Sequence, residues 1–351
     1  VFGDKAWRYY SVPQFNVSDD PPVQSCKGLA EALEATVLAH LPNGTGAVAC
    51  LLSGGIDSST ILHVTNRLRS SVEAFTFANL DSTSDDLNAA RLMCTHLGIP
   101  LHVVSPSAKD LQLFYLSQGV LMTETWEPPL VRNAVSYHFL CRGVAARGYK
   151  WCLSGEGADE LFGGYDYFRQ YEQPHQDAAI WSSLVNIHQT YLQMADRASM
   201  YATLEVRVPY MDRSLVDYCA ALPRRMRICN ETGKWGLRNL HSDIPESIRW
   251  RPKTGMNAGA GFGSNDPGKS IYYSAVIAYY EEYPDEYADD RTTCISLGTD
   301  YEVNQDDPEE IFNFARFIRF GFARLGKRPR LQLNTSGLHN PCLHPYSTSA
   351  P

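Results

Sequence analysis

Over the first half of the chain, short and mostly apolar runs alternate with longer stretches whose apolar positions recur every three or four residues. The runs are Ala47–Leu52, Ala74–Ala78, Leu101–Val104 and Tyr149–Leu153. The first is wholly apolar, which predicts a strand buried on both faces, and the other three read as further strands. The periodic stretches Leu29–Leu41, Asp57–Arg69, Asp86–Leu97, Leu111–Met122 and Val135–Ala146 predict helices. Pro42-Asn43-Gly44 and Gly98 supply stop signals. Strands alternating with helices predict an α/β fold built on a parallel, doubly wound sheet. From about residue 178 the texture changes to Ala178–Met194, Leu215–Ala221, Ile271–Glu282 and Ile311–Leu325, so the second half reads as mainly helical. The expected organisation is an arm over residues 1–25, an α/β core over 26–177, a helical part over 178–330 and a tail over 331–351.

Composition narrows the function classes. Of 351 residues, 44% are hydrophobic and 20% charged, the balance of an ordinary globular protein able to bury a core without staples. No apolar run is long enough for a membrane span. The net charge of −8 argues against a general nucleic-acid binder. Nine cysteines, with no C-x-x-C pair, suggest free thiols in a reducing compartment, hence a cytoplasmic protein. No signal peptide is visible. Val1 opens the numbering, consistent with a start inside a longer product or a removed tag. Residues 281–310 hold twelve acids and one base, and residues 316–330 six bases and no acid, read as solvated faces that offset each other.

Two motifs carry chemistry. Ser53-Gly54-Gly55-Ile56-Asp57-Ser58-Ser59 follows the first strand and opens a helix at once. A glycine pair lets the backbone approach a ligand, and a helix N-terminus favours an anion, so an oligophosphate is the natural occupant. Asp57 reads either as a helix cap or as a magnesium ligand. The spacing is not that of a Walker loop. Ser154-Gly155-Glu156-Gly157-Ala158-Asp159-Glu160-Leu161-Phe162-Gly163-Gly164-Tyr165 follows the fourth strand. Ligands of open parallel sheets bind at the carboxyl ends of the strands, so this loop can face the first across one cleft. Three clustered carboxylates require a shared cation or proton.

The first motif resembles the PP-loop of the ATP pyrophosphatase group, which splits ATP between the α and β phosphates and has the adenine nucleotide alpha hydrolase-like fold. The second closely resembles the synthetase domain of the asparagine synthetase family. Ala195–Met200, Leu204–Asp212, Trp250–Met256 and Glu124–Tyr137 agree with that family in order, so the resemblance spans roughly residues 27–265. It implies ATP-dependent amide formation: adenylation of a small-molecule carboxylate, then attack by ammonia or an amine. It places ATP and pyrophosphate on Ser53, Gly54, Gly55, Asp57, Ser58, Ser59, Ser154 and Gly155, and Mg²⁺ on Asp57 and Asp159. Lys253 becomes the charge-stabilising lysine and Glu156 the general base, a position that β-lactam-forming relatives fill with tyrosine. Arg132 and Arg197 are candidate anion anchors, Arg197 being equally readable as an ion-pair partner of Glu205 or Asp212. Residues 254–263, with four glycines, suggest a mobile loop over the cleft and depart from the version associated with aspartate. The glutaminase domain of glutamine-dependent members is not seen, so ammonia would come free or from a separate or fused glutaminase. Cys26 reads as structural. Three alternatives remain: an intramolecular lactam or macrolactam cyclase, a nucleotide-binding module without catalysis, and a tRNA-modifying PP-loop enzyme, which the acidic balance disfavours.

Overall fold

A computed structural model describes residues 9–18, 26–44, 46–80, 84–124, 128–172 and 175–260. The helices expected at 271–282 and 311–325, the charged segments at 281–310 and 316–330, and the tail lie outside the described residues.

Among the described residues, five parallel strands form one sheet in the order β3-β2-β1-β4-β5: β1 Val48–Leu51, β2 Val72–Phe77, β3 Leu101–Val104, β4 Trp151–Leu153 and β5 Glu205–Arg207. The expected doubly wound α/β architecture is present. The apolar runs are explained by the two faces of the sheet. Val48, Cys50, Val72 and Ala74 enter one buried cluster, while Ala49, Leu51, Phe75 and Phe77 enter another. Alternate side chains point to opposite faces, so a strand covered on both sides is apolar at most positions, Glu73 and Thr76 being the exceptions in β2.

Helix α1 (Cys26–His40), α2 (Ile56–Leu68) and α3 (Asp85–Leu97) belong to the first half. Ser84 caps α3 by accepting from the Leu87 N–H, and Gly98 closes it at φ 68°, a start and stop both written locally. The expected helix over 111–122 is interrupted. It consists of α4 (Ala108–Phe114), a π turn at Tyr115–Gly119 and α5 (Val120–Thr123). The expected helix starting at Val135 begins earlier, as α6 (Pro128–Ala146). After β4 come α7 (Ala158–Phe162), α8 (His175–Asn186) and α9 (Tyr191–Tyr201). The single helix read over 178–194 is thus two, parted by a 3-10 turn at Ile187–Gln189 without a glycine or proline to mark it.

The sheet also takes its edge strand from the segment read as mainly helical. β5 has three residues, two of them charged, and pairs Trp151 with Glu205 and Leu153 with Arg207. Its short polar sequence has no strand pattern; the neighbouring β4 and the Arg207 guanidinium, 4.6 Å over the Trp151 ring, hold it. Beyond it lie α10 (Arg213–Ala220), a hairpin β6 (Ile228–Cys229) and β7 (Thr232–Gly233), α11 (Trp235–Arg238), α12 (Glu246–Arg249) and α13 (Met256–Gly259).

Of the arm, residues 9–18 dock on the helical part. Asn16 N–H donates to Ala220 O at 2.7 Å, Trp181 Nε1 to Pro13 O at 3.0 Å, and Phe15 is buried beneath the Arg227 guanidinium. Five of the described cysteines, Cys50, Cys94, Cys141, Cys152 and Cys219, are free and buried; Cys229 is free and half-buried. Cys26 lies in α1. No described helix is long and apolar enough to cross a membrane.

Candidate active site

Strand order reverses between β1 and β4, because β2 and β3 lie on one side of β1 and β4 and β5 on the other. The loops that leave β1 and β4 therefore diverge and open a crevice at their carboxyl ends. Ser53, Gly55, Asp57 and Ser58 line it from the first loop, and Ser154, Gly155, Glu156 and Asp159 from the second. Lys234, Arg238, Arg251 and Lys253 add the cations.

The first loop is held by its own serines. Ser53 N–H donates to Ser58 Oγ at 3.2 Å, the two hydroxyls are 3.1 Å apart, and Gly55 N–H donates to Ser53 Oγ at 3.3 Å. Gly54 has φ 73°, and a Cβ there would lie 2.7 Å from Ala90 N on α3, so this turn requires glycine. Gly55 occupies the cap position of α2 with no side-chain cap, which leaves the first N–H groups of the helix to a ligand. Asp57 is consequently not the cap; it sits in the first turn. The second loop packs directly on this turn: a Cβ on Gly155 would stand 2.7 Å from Ser58 N. Ser59 lies behind, its buried Oγ without a hydrogen-bond partner among the described residues.

The acidic loop resolves into three different carboxyls. Asp159 lies 2.6 Å from Lys234 Nζ and 2.5 Å from Lys253 Nζ. Burial alone would raise its pKa, but the two ammonium groups overcome that and hold it at about 2. Glu160 is buried and receives the Tyr165 hydroxyl at 2.7 Å; burial and the Asp159 charge push it up to about 8. Glu156 is half-buried, and desolvation raises it to about 7, against the pull of Lys253 and with help from Asp159 and Asp57. Lysines balance Asp159, burial favours the protonated form of Glu160, and Glu156 is raised toward neutrality.

Lys253 has a raised pKa: burial disfavours its charge, but Asp159 and Asp57 outweigh it. It acts as a fixed positive charge. Arg251 binds this segment to the first loop, donating to Ser53 O at 3.3 Å and to Asp86 Oδ1 at 2.5 Å. Arg238 is buried and donates to the carbonyls of Gly233, Arg249 and Arg251. Residues 256–260, read as part of a mobile loop, comprise α13 and Ala260 and dock through Ser84 Oγ to Gly259 O (3.0 Å) and Asn79 N–H to Ala260 O (2.7 Å).

Lys234 is the residue that sequence reasoning missed. Its Nζ lies 2.5 Å from Asp57 Oδ2 as well as 2.6 Å from Asp159 Oδ1, bridging the two motifs. It is 2% exposed and has φ 60°. A buried lysine in the left-handed region is uncommon and collects where the surroundings enforce it. A single lysine in Thr232-Gly233-Lys234-Trp235 carries no local signal for this. Asp57 Oδ1 is buried without a hydrogen-bond partner among the described residues; a hard anionic oxygen of this kind suits a magnesium ion.

Arg132 and Arg197 do not join this group. Arg132 lies on α6, and Arg197 on α9 pairs with Glu124 at 2.6 Å and donates to Thr123 O at 2.5 Å. Neither lines the crevice. Glu205, one of the partners considered for Arg197, pairs with Arg207 instead.

Comparison with known proteins gives one family. The model described as asparagine synthase matches residues 28–183 and 172–270. Asparagine synthetase B (glutamine-hydrolyzing) of Escherichia coli strain K12 is 28% identical over 283 residues, covering 76% of this chain and 49% of that protein. The Gallus gallus asparagine synthetase (glutamine-hydrolyzing) is 30% identical over 250 residues, 68% of this chain and 43% of that one. The chain thus spans about half the length of these relatives or less. A solved structure of the U34-tRNA thiolase NcsA from Methanococcus maripaludis with its 4Fe-4S cluster aligns over 73% of this chain and 80% of its own, at 15% identity and a TM-score of 0.32.

Proposed function

Because the chain belongs to the asparagine synthase family, we propose that it forms an amide bond by activating a carboxylate with ATP, releasing AMP and pyrophosphate, and passing the acyl group to ammonia or an amine. The observation that carries this reading is the convergence in one crevice of an anion-binding helix start, a carboxylate titrating near neutrality and a fixed ammonium.

A carboxylate is a poor electrophile toward amines at neutral pH. In the first step its oxygen attacks the α-phosphorus of ATP, and pyrophosphate leaves from the turn formed by Ser53–Ser59. Three anionic groups approach one another there, so Lys253 and Lys234 supply positive charge where negative charge accumulates. A magnesium ion, if held by Asp57 and Asp159, would neutralise part of the charge on the departing pyrophosphate. The hard oxygens of the site fit that ion, Asp57 Oδ1 in particular.

In the second step the amine nitrogen attacks the acyl carbon, AMP leaves, and the nitrogen gives up a proton. Glu156 suits that proton, since a base with a pKa near 7 is both partly ionised and able to take it. Lys253 does not, because its neighbours keep it charged. The nitrogen donor is ammonia or a small amine, and a glutaminase domain or subunit is the partner that would deliver it.

The test is carboxylate-dependent exchange of labelled pyrophosphate into ATP by the full chain, with magnesium, across a panel of small acids. Exchange that depends on one class of acid, together with AMP formation when ammonia is added, supports the reading. Absence of exchange with every acid, in a folded protein that binds ATP, would overturn it.

A further inference from the structure

Outside the crevice, two histidines and an aspartate meet between α2 and the segment after α11. His63 lies on α2, on the same helix as Asp57; His241 follows α11, which begins beside Lys234. Both rings are more than nine-tenths buried, at 3% and 7% exposure, with centroids 4.7 Å apart. Asp243 Oδ2 is 3.3 Å from His63 Nε2, and its side chain is largely exposed. One donor atom from each of the three residues falls within 4.8 Å of the other two. Among the described residues, no hydrogen bond satisfies either ring nitrogen of His63 or Nε2 of His241.

Buried imidazole nitrogens are ordinarily satisfied. Two such rings side by side, opening onto one carboxylate, are arranged as ligands are. We propose that His63, His241 and Asp243 form a binding site for a transition-metal dication of the zinc class, with a remaining position toward solvent for water.

The chemistry selects the ion. Two imidazoles and a carboxylate suit zinc, cobalt or nickel, whereas magnesium prefers oxygen donors throughout. Burial lowers the pKa of His63, and burial together with His63 lowers His241 to about 4, so both rings offer lone pairs at neutral pH. Arg67 is the cationic group facing the site and His96 a further titratable neighbour; Arg67 is drawn toward Glu34, 3.7 Å away. Donors on a common ion stand closer together than 4.8 Å, so binding would draw the three side chains together. The ion would tie together α2 and the α11 segment, the two elements whose Asp57 and Lys234 pair in the crevice.

The experiment titrates cobalt(II) into the full chain and follows visible absorption, then displaces the cobalt with zinc(II). The expected result is one equivalent with a tetrahedral or five-coordinate spectrum, unaffected by excess magnesium, and a zinc-dependent rise in Tm. His241→Asn should abolish the spectrum. Asp243→Asn changes an exposed side chain, keeps the fold, and should weaken cobalt binding at least about tenfold and remove the zinc-dependent rise in Tm. The proposal is overturned if the wild-type chain binds no cobalt at micromolar concentrations, or if wild type and Asp243→Asn bind it with the same affinity and spectrum. Neither readout involves amide formation, so the result stands apart from that of the exchange assay.

Discussion

Replacing Glu156 with Gln removes one ionisable group from the crevice while keeping its volume. In the wild type the folded protein binds that proton more tightly than the unfolded chain, with a pKa of about 7 against 4.5. The native state therefore carries more protons than the unfolded state between these values, and stability falls as pH rises through that window. At about 1.4 kcal/mol per pH unit, the interval from 4.5 to about 7 amounts to about 3 kcal/mol. This is an upper figure, because part of the carboxylate faces the crevice and its water. Glu156→Gln has no such titration. Relative to wild type it should gain up to about 3 kcal/mol on going from pH 4.5 to about pH 8, read as the difference between urea-unfolding free energies at the two pH values. Glu160 titrates in both proteins and largely cancels. The same variant should retain pyrophosphate exchange while the amide yield with ammonia collapses and acyl-adenylate or its hydrolysis product accumulates. Stability differences that do not change with pH would refute the desolvation argument. Loss of exchange would show that Glu156 acts before the amine does.

Four other variants test the same crevice. Asp57→Asn should abolish magnesium-dependent AMP formation with the fold intact by circular dichroism. Asp159→Asn should do the same and also cost about 2 kcal/mol, since the native carboxyl sits at about 2 rather than 3.8; that stability is present above pH 3.8 and lost as pH falls through about 2, so denaturation in acid should show the variant and wild type converging. Lys234→Met removes the ammonium shared by Asp57 and Asp159 and should destabilise by about 3–5 kcal/mol, measured by guanidinium unfolding, with the deficit shrinking in acid as Asp159 takes up a proton. Gly155→Ala drives a Cβ to 2.7 Å from Ser58 N; parting the two loops should cost about 1–3 kcal/mol and slow exchange more than it weakens ATP binding, as separate kinetic and binding measurements will show.

Much of this protein was legible along the chain because the relevant physics is local. A parallel strand buried on both faces is apolar at most positions, so β1 was readable from the unbroken run Ala47–Leu52, and β2 and β3 from mostly apolar runs spaced between helical patterns. The glycine-rich turn before α2 and the acidic loop before α7 each state their chemistry in consecutive residues. Placing them in one crevice followed from the rule for carboxyl ends of parallel strands. What depends on distant partners was not readable. β5 is a strand only because β4 offers it an edge, and α8 and α9 part at Ile187–Gln189 without a breaker in the sequence. Lys234 stands 177 residues from Asp57, and nothing in its own neighbourhood says that it will be buried between two carboxylates. The protonation states of Glu156, Asp159 and Glu160 were likewise undecided by their spacing. They are set by how much water each carboxyl retains and by which ammonium groups reach it, and both are properties of the packed tertiary structure.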